Sequence, residues 1–321
     1  MKSFLNYWTL SVIKNKLLNP FNLIFSPIEK LFHNNDNVDL LKKFPPVFII
    51  GAPRSGTTIL YQLLCKHLNF GFINNFVSDW YRLPIAATSF YKKFFGEKNI
   101  VELESKFGQS KDLHGPNEFG NFWYQWFDEF HNPKKQISII IDEIRLEISG
   151  LTKIHKKPVL FKNVVNSMRI VSINKIFNNS IFIVIARDEL DTAQSILNAR
   201  IKLYNNKNHS WSVVPTAVGY RKSDEPYWEQ IVKQIRGVYS NINSAKEIIG
   251  YDKFIFIKYK DLCDDTSSVL KFIKNKLNEK GVPVSLDDTS DIPNLNFSTG
   301  KKVSDNDYKL LKNEIIKSES K

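Results

Sequence analysis

Two cysteines in 321 residues, Cys65 and Cys263, are too few and too far apart for a disulfide framework or a paired zinc-ligand spacing. Six scattered histidines form no HxxxH or HExxH signature, so no metal is expected. Two thiols fit a reducing compartment, and a cytoplasmic or membrane-associated location is the expectation. Long apolar runs are also missing. The opening stretch MKSFLNYWTLSVIKNKLL is broken by Asn6, Thr9 and Ser11 and is followed by no A-x-A-like cleavage site, so it reads neither as a span nor as a signal. With Lys14 and Lys16 beside Phe4, Trp8, Leu10 and Ile13, it has two readings. One is an interfacial helix making peripheral membrane contact; the other, the commoner fate, is a helix packed on the protein's own core. Internal repeats and low-complexity tracts are absent.

Acidic residues are comparatively scarce, 33 against 45 basic, which leaves a net charge of +12. That balance favours an anionic partner: a nucleotide, a nucleic acid, an acidic lipid, or sulfated and phosphorylated molecules. The bland alternative is a generally basic composition with no focused patch.

Four short runs read as buried parallel strands, because they are β-branched and aromatic without alternation. They are PVFII (46–50), PVLFK (158–162), IFIVIA (181–186) and KFIFIKY (253–259), with FGFIN (70–74) as a weaker fifth. Helical patterns at Thr57–His67, Asp188–Tyr204, Tyr227–Ile249 and Thr266–Lys280 separate them. The alternation predicts a single α/β domain, a P-loop-like, mostly parallel sheet flanked by helices. Residues 1–44 read as an N-terminal helical extension to a domain at 45–321. Within that domain, about 76–150 reads as a helical insertion carrying GPNEFGNFWYQWFDEF, and 281–321 as a loop-rich tail ending in a polar helix.

PPVFIIGAPRSGTTILYQLL (45–64) approaches a nucleotide-triphosphate loop, G-x-x-x-x-G-K-[ST], but Thr57 stands in the lysine position. A strand ending at Gly51 and a helix beginning near Thr57 gather backbone N–H groups at one point, where the helix N-terminus favours an anion. Gly56 permits close backbone approach, and Ser55, Thr57 and Thr58 add hydroxyls. Arg54 is the only cation inside the loop, and its guanidinium can bridge an anionic group and its leaving oxygen bidentately.

GAPRSGTT resembles the 5′-phosphosulfate loop of sulfotransferases that use 3′-phosphoadenosine 5′-phosphosulfate (PAPS), in the PRSGTT form of bacterial and tyrosylprotein enzymes. A second motif agrees. IFIVIA runs into Arg187, with Ser195 eight residues later, which resembles the family's 3′-phosphate site; the interval sets Ser195 about two helical turns on, facing the same anion. PVLFKNVVNS resembles the strand that carries a catalytic lysine, here Lys162, and FIFIKYKDL resembles a late strand-and-turn with Lys260 in place of an acid. The resemblance covers about 45–75 and 155–265.

It implies a metal-free, in-line transfer of a sulfuryl group from PAPS to a hydroxyl or amine. Arg54 would stabilise the leaving phosphate and Lys162 the sulfuryl oxygens. Ser55, Gly56, Thr57, Thr58, Arg187 and Ser195 would hold the nucleotide. Lys301 and Lys302 of STGKK (298–302) are loosely like the family's basic loop over the 3′-phosphate. Two departures stand out. The family's usual base positions fall on Asn74 or Asn75 and on Val164, none able to take a proton usefully, which leaves Glu118, His114 and Asp79, in that order, as candidates. Ile59 occupies the place of an adenine-stacking tryptophan. Aromatic density in 76–150 suggests a lipid, phenol or glycan acceptor, and nucleic acid is not an expected partner. The rival readings are a P-loop kinase or NTPase and a non-enzymatic basic protein binding nucleic acid or anionic membrane.

Overall fold

The β-branched and aromatic runs become five strands: β1 (Val47–Ile50), β2 (Gly71–Phe72), β3 (Val159–Lys162), β4 (Ile181–Ala186) and β5 (Phe254–Lys258). The computed structural model describes residues 2–96, 103, 112–128, 131–215, 225–286, 292–297 and 299–319, with side chains of the first helix from Ile13 onward. The side chains of Phe4, Trp8 and Leu10 therefore lie outside the described ones, as do Ser298 and parts of the 76–150 stretch (97–102, 104–111 and 129–130). The strands form one sheet in the order β2-β3-β1-β4-β5, and every described pairing is parallel.

Parallel neighbours need crossovers, and helices on both faces supply them. Residues of β1 alternate between the two layers. Val47 and Ile49 pack with Leu60 and Leu64 of the helix Thr57–His67 and with Leu270 and Ile273 of Thr266–Glu279. Phe48 and Ile50 face the opposite layer, which includes Ile144 of Ile137–His155 and Ile235 of Tyr227–Ile249. Across that second face runs an aromatic ladder. Phe48 on the central strand stacks on Phe161 at 5.3 Å and on Phe182 at 5.6 Å, and Phe182 stacks on Phe254 at 5.5 Å. Trp123 meets Phe48 and Phe161 edge-on at 5.8 and 5.7 Å, so the aromatic segment NFWYQWF chiefly closes the core.

The ligand crevice of such a sheet lies outside the carboxyl ends of its strands, where connections turn to opposite sides. Gly51, Asn163 and Arg187 are the first residues beyond β1, β3 and β4. The tail helix Asp305–Glu319 is tied back by Asp307, which accepts hydrogen bonds from Lys207 Nζ at 2.7 Å and from the Tyr227 hydroxyl.

The first helix, Lys2–Glu29, does not pack as an ordinary amphipathic helix. Its polar side meets the protein. Asn22 is buried, donating to the Asp79 carbonyl at 2.8 Å and accepting from Arg82 N–H at 3.2 Å. Glu29, also buried, accepts the N–H groups of Ile85 and Ala86 at the start of the helix Pro84–Phe95. Burial, then the nearby Glu147 charge, pushes the Glu29 carboxyl up to about 9, and burial pushes Glu147 up to about 7. Both acids bind protons more tightly folded than unfolded. The stability they contribute is complete below the ordinary carboxylate range and is lost as pH rises through 7 to 9. Thermal melts from pH 7 to 9.5 should show the wild type losing stability steadily while Glu29→Gln stays nearly flat. Parallel losses in both proteins would mean that another group sets the alkaline limit.

Candidate active site

The loop after β1 is built by backbone conformations that few residues adopt. Gly51 and Gly56 have φ of 153° and 103°, and Arg54 itself sits at φ 66°, in the left-handed region that costs a bulky residue on the order of 1–2 kcal/mol. A Cβ on Gly56 would collide with the Tyr259 ring, so only glycine lets the loop come this close to the residue after β5. Gly51 N–H donates to Ser167 Oγ at 3.0 Å, and that hydroxyl donates back to Gly51 O at 3.2 Å. This pair pins the loop to the short helical turn after β3. Helix Thr57–His67 then begins, and its first N–H groups have no partners within the helix. Ser55 and Thr57 are buried in the loop, and Thr58 lines the cleft in front of it.

The strained Arg54 reaches across to the second motif. Its Nε donates to Ser195 Oγ at 3.0 Å, which joins the loop after β1 to the helix after β4. Arg187 stands beside this bridge. Its guanidinium lies over the Tyr259 ring at 4.8 Å and 3.7 Å from Asp191. Burial, then the like charge of Arg187, holds the Arg54 guanidinium below its ordinary value. Two half-enclosed cations that repel each other form a site that an anion between them would stabilise. Burial, then hydrogen bonding with Cys263, pushes the Tyr259 phenol up to about 12, so the ring beneath Arg187 stays neutral at physiological pH.

A cleft of about 450 Å³ opens on the other side of Arg54, lined also by Glu118, Tyr124, Lys162, Asn163 and Trp211. Lys162 ends β3 at 2% side-chain exposure, and its ammonium donates to Glu118, whose side chain is 34% exposed at the cleft wall. Burying a lysine without such a partner would be costly.

The other sequence candidates fall in different places. Asp79 lines the same cleft but is ion-paired to Lys14 of the first helix, and burial raises its carboxyl above the ordinary value. His114 shares a hydrogen bond with the Tyr91 hydroxyl and packs against the rings of Tyr91 and Phe95; the structure does not bring it to Arg54 and Lys162. Of the tail lysines, Lys302 comes within 3.6 Å of Asp191, and its backbone N–H donates to Gln194 at 2.7 Å, beside the Arg187 cluster. Lys301 pairs with Asp305. Tyr259 and Ser167 were not legible as site residues. Both lie inside stretches that the sequence did single out, FIFIKYKDL and PVLFKNVVNS, but nothing in their spacing marked either residue.

Comparisons with known proteins bear on this arrangement. The sequence model of a family described as the sulfotransferase family matches residues 45–280. Part of the chain is similar to adenylate kinase 8 of Mus musculus, 33% identical over 97 residues, covering 28% of this chain and 19% of that protein. The chain thus spans about a fifth of the length of that curated relative. Among solved structures it is similar to sulfotransferase STF9 from Mycobacterium avium, with a TM-score of 0.45 and 15% identity, covering 88% of this chain and 70% of that one. It is also similar to a sulfotransferase from Alicyclobacillus acidocaldarius, with a TM-score of 0.43 and 12% identity, covering 86% of this chain and 94% of that one.

Proposed function

Because the chain belongs to the sulfotransferase family, we propose that it moves a sulfuryl group from PAPS to a hydroxyl or amine of an acceptor held in the cleft beside Arg54. The observation that carries this reading is the 3.0 Å bond from Arg54 to Ser195, because it brings the 5′ and 3′ anion motifs of the sequence into one site. The residues fit the nucleotide. Gly51 and Gly56 let the loop pack tightly against Ile185 O and the Tyr259 ring where any Cβ would collide, a helix N-terminus follows the loop, and the like charges of Arg54 and Arg187 would be relieved by an anion between them.

PAPS supplies the sulfuryl group and a phosphate that leaves with the charge of the broken bond. Arg54 would neutralise that charge, and its enforced backbone conformation keeps it oriented without reorganisation. Lys162, at the end of β3 and held by Glu118, would face the sulfuryl oxygens. Glu118 would accept the acceptor's proton, as the carboxylate that both lines the cleft and touches Lys162. Arg187, Ser195 and Lys302 would hold the 3′-phosphate side. The acceptor is a hydroxyl-bearing lipid, phenol or glycan, because Tyr124 and Trp211 supply aromatic wall to an otherwise polar cleft. Phosphoryl transfer is the weaker reading. Thr57 replaces the lysine that a triphosphate needs, and β4 runs into Arg187 where an acid would hold magnesium.

The test separates the two anion sites. Arg187→Ala should weaken binding of 3′-phosphoadenosine 5′-phosphate by about 1.5–3 kcal/mol, the scale of a hydrogen bond to a charged group. Adenosine 5′-phosphosulfate, which lacks the 3′-phosphate, should bind almost as before. Titration calorimetry of both nucleotides without metal decides between the roles. Equal losses would make Arg187 a support of the Tyr259 packing rather than a reader of the 3′ group. Binding of ATP with magnesium in preference to the bisphosphate would reject the proposed function itself.

A further inference from the structure

The first helix is mounted with its polar side inward. Asn22 and Glu29 are buried against the protein, whereas Leu17 and Ile24 are 65% and 67% exposed and Leu31, just beyond the helix, is 82% exposed. Ile13, Leu17, Phe21, Ile24, Phe25 and Ile28 are all exposed and share one side at helical spacing. An amphipathic helix that only packed on its own core would turn this side inward. Here the hydrogen bonds that Asn22 makes with Asp79 O and Arg82 N–H, and those that Glu29 accepts from Ile85 and Ala86 N–H, hold the opposite side down.

We propose that this face lies on the surface of an anionic lipid bilayer. Three observations favour a bilayer over a second copy of the chain. The exposed side is wider than the narrow a/d seam of a coiled coil, since Phe21, Ile24, Phe25 and Ile28 all belong to it. Pro20 and Pro27 lie inside the helix, and each removes a backbone hydrogen bond that a continuous supercoil would need. Charge points the same way. Glu29 is the helix's one acidic residue and it is buried, whereas Lys16 and the adjoining Lys30 are exposed on a chain of net charge +12. No described helix is long and apolar enough to cross a membrane, so the helix lies in the interface. Asn15 of the same helix lines the cleft beside Arg54, which sets the cleft next to the bound surface. A membrane-borne acceptor follows from that placement, and this consequence alone rests on the transferase reading.

The experiment is co-sedimentation of the full chain, without nucleotide, with vesicles of phosphatidylcholine alone or mixed with phosphatidylserine. The chain should partition onto the mixed vesicles, and rising salt should weaken the binding. Leu17→Ser and Ile24→Ser should each lower partitioning by about tenfold, the worth of one buried aliphatic side chain. Lys16→Ser should lower it by about fivefold on mixed vesicles only. All three side chains are exposed, so melting temperatures should not move. Partitioning that ignores the Leu17 and Ile24 variants would overturn the proposal. So would a chain that binds neither vesicle and sediments as a dimer which the same variants dissociate, because the face would then be a self-association surface. Vesicle binding is measured apart from sulfate transfer, so either result stands if the other fails.

Discussion

Arg54→Ala should lower single-turnover sulfate transfer by about 10²–10³-fold, the effect of removing one preorganised donor from a developing charge. Its contribution belongs mainly to the transition state, so affinity for the nucleotide product should fall much less. Backbone N–H groups at the start of Thr57–His67 would still hold the 5′-phosphate. The alanine also removes the bond to Ser195, and Ser195→Ala is therefore the control. If Ser195 merely steers Arg54, its loss should cost far less than the loss of Arg54. Arg54→Lys should recover part of the rate, because the charge returns without the bidentate fork. Normal turnover of the alanine variant at saturating nucleotide would reduce Arg54 to a binding residue.

Lys162→Met should also cost about 10²–10³-fold in turnover, since it removes a cation that lines the cleft. Methionine keeps much of the buried volume, so the end of β3 should stay packed. Glu118→Gln should lower turnover as well, since the amide cannot take the acceptor's proton. The double variant distinguishes chemistry from architecture. Were the pair only a structural ion bridge, removing both partners would restore most of what either single change loses, because no unpaired charge remains. If each group has its own role, the double variant should be no better than the worse single one.

Much of the fold was legible because it rests on local chemistry. The strand runs carry no polar alternation since both sheet faces are covered, and helix Thr57–His67 begins directly after the left-handed Gly56. The weak fifth strand shrank to Gly71–Phe72, an edge element whose two residues pair with Val159 and Leu160. His114 and Glu118 stand four residues apart in the same Gly- and Pro-rich segment, yet only Glu118 reaches Lys162. The chain turns between them, at Gly115–Pro116, in a way that composition does not encode.

The glycine-built loop after β1, the parallel α/β order and the basic balance were legible in the sequence itself, because glycine placement and β-branched runs act over a few neighbouring residues and net charge is a sum over composition. Only the tertiary structure decided which side of the first helix faces outward. Its apolar residues alone predict burial, and the reversal comes from Asn22 and Glu29 bonding to the chain 56 to 60 residues later. Likewise, the meeting of Arg54 with Ser195, 141 residues apart, depends on β1 and β4 lying side by side in the sheet. Long-range pairing of that kind is a property of the topology, which no local stretch contains.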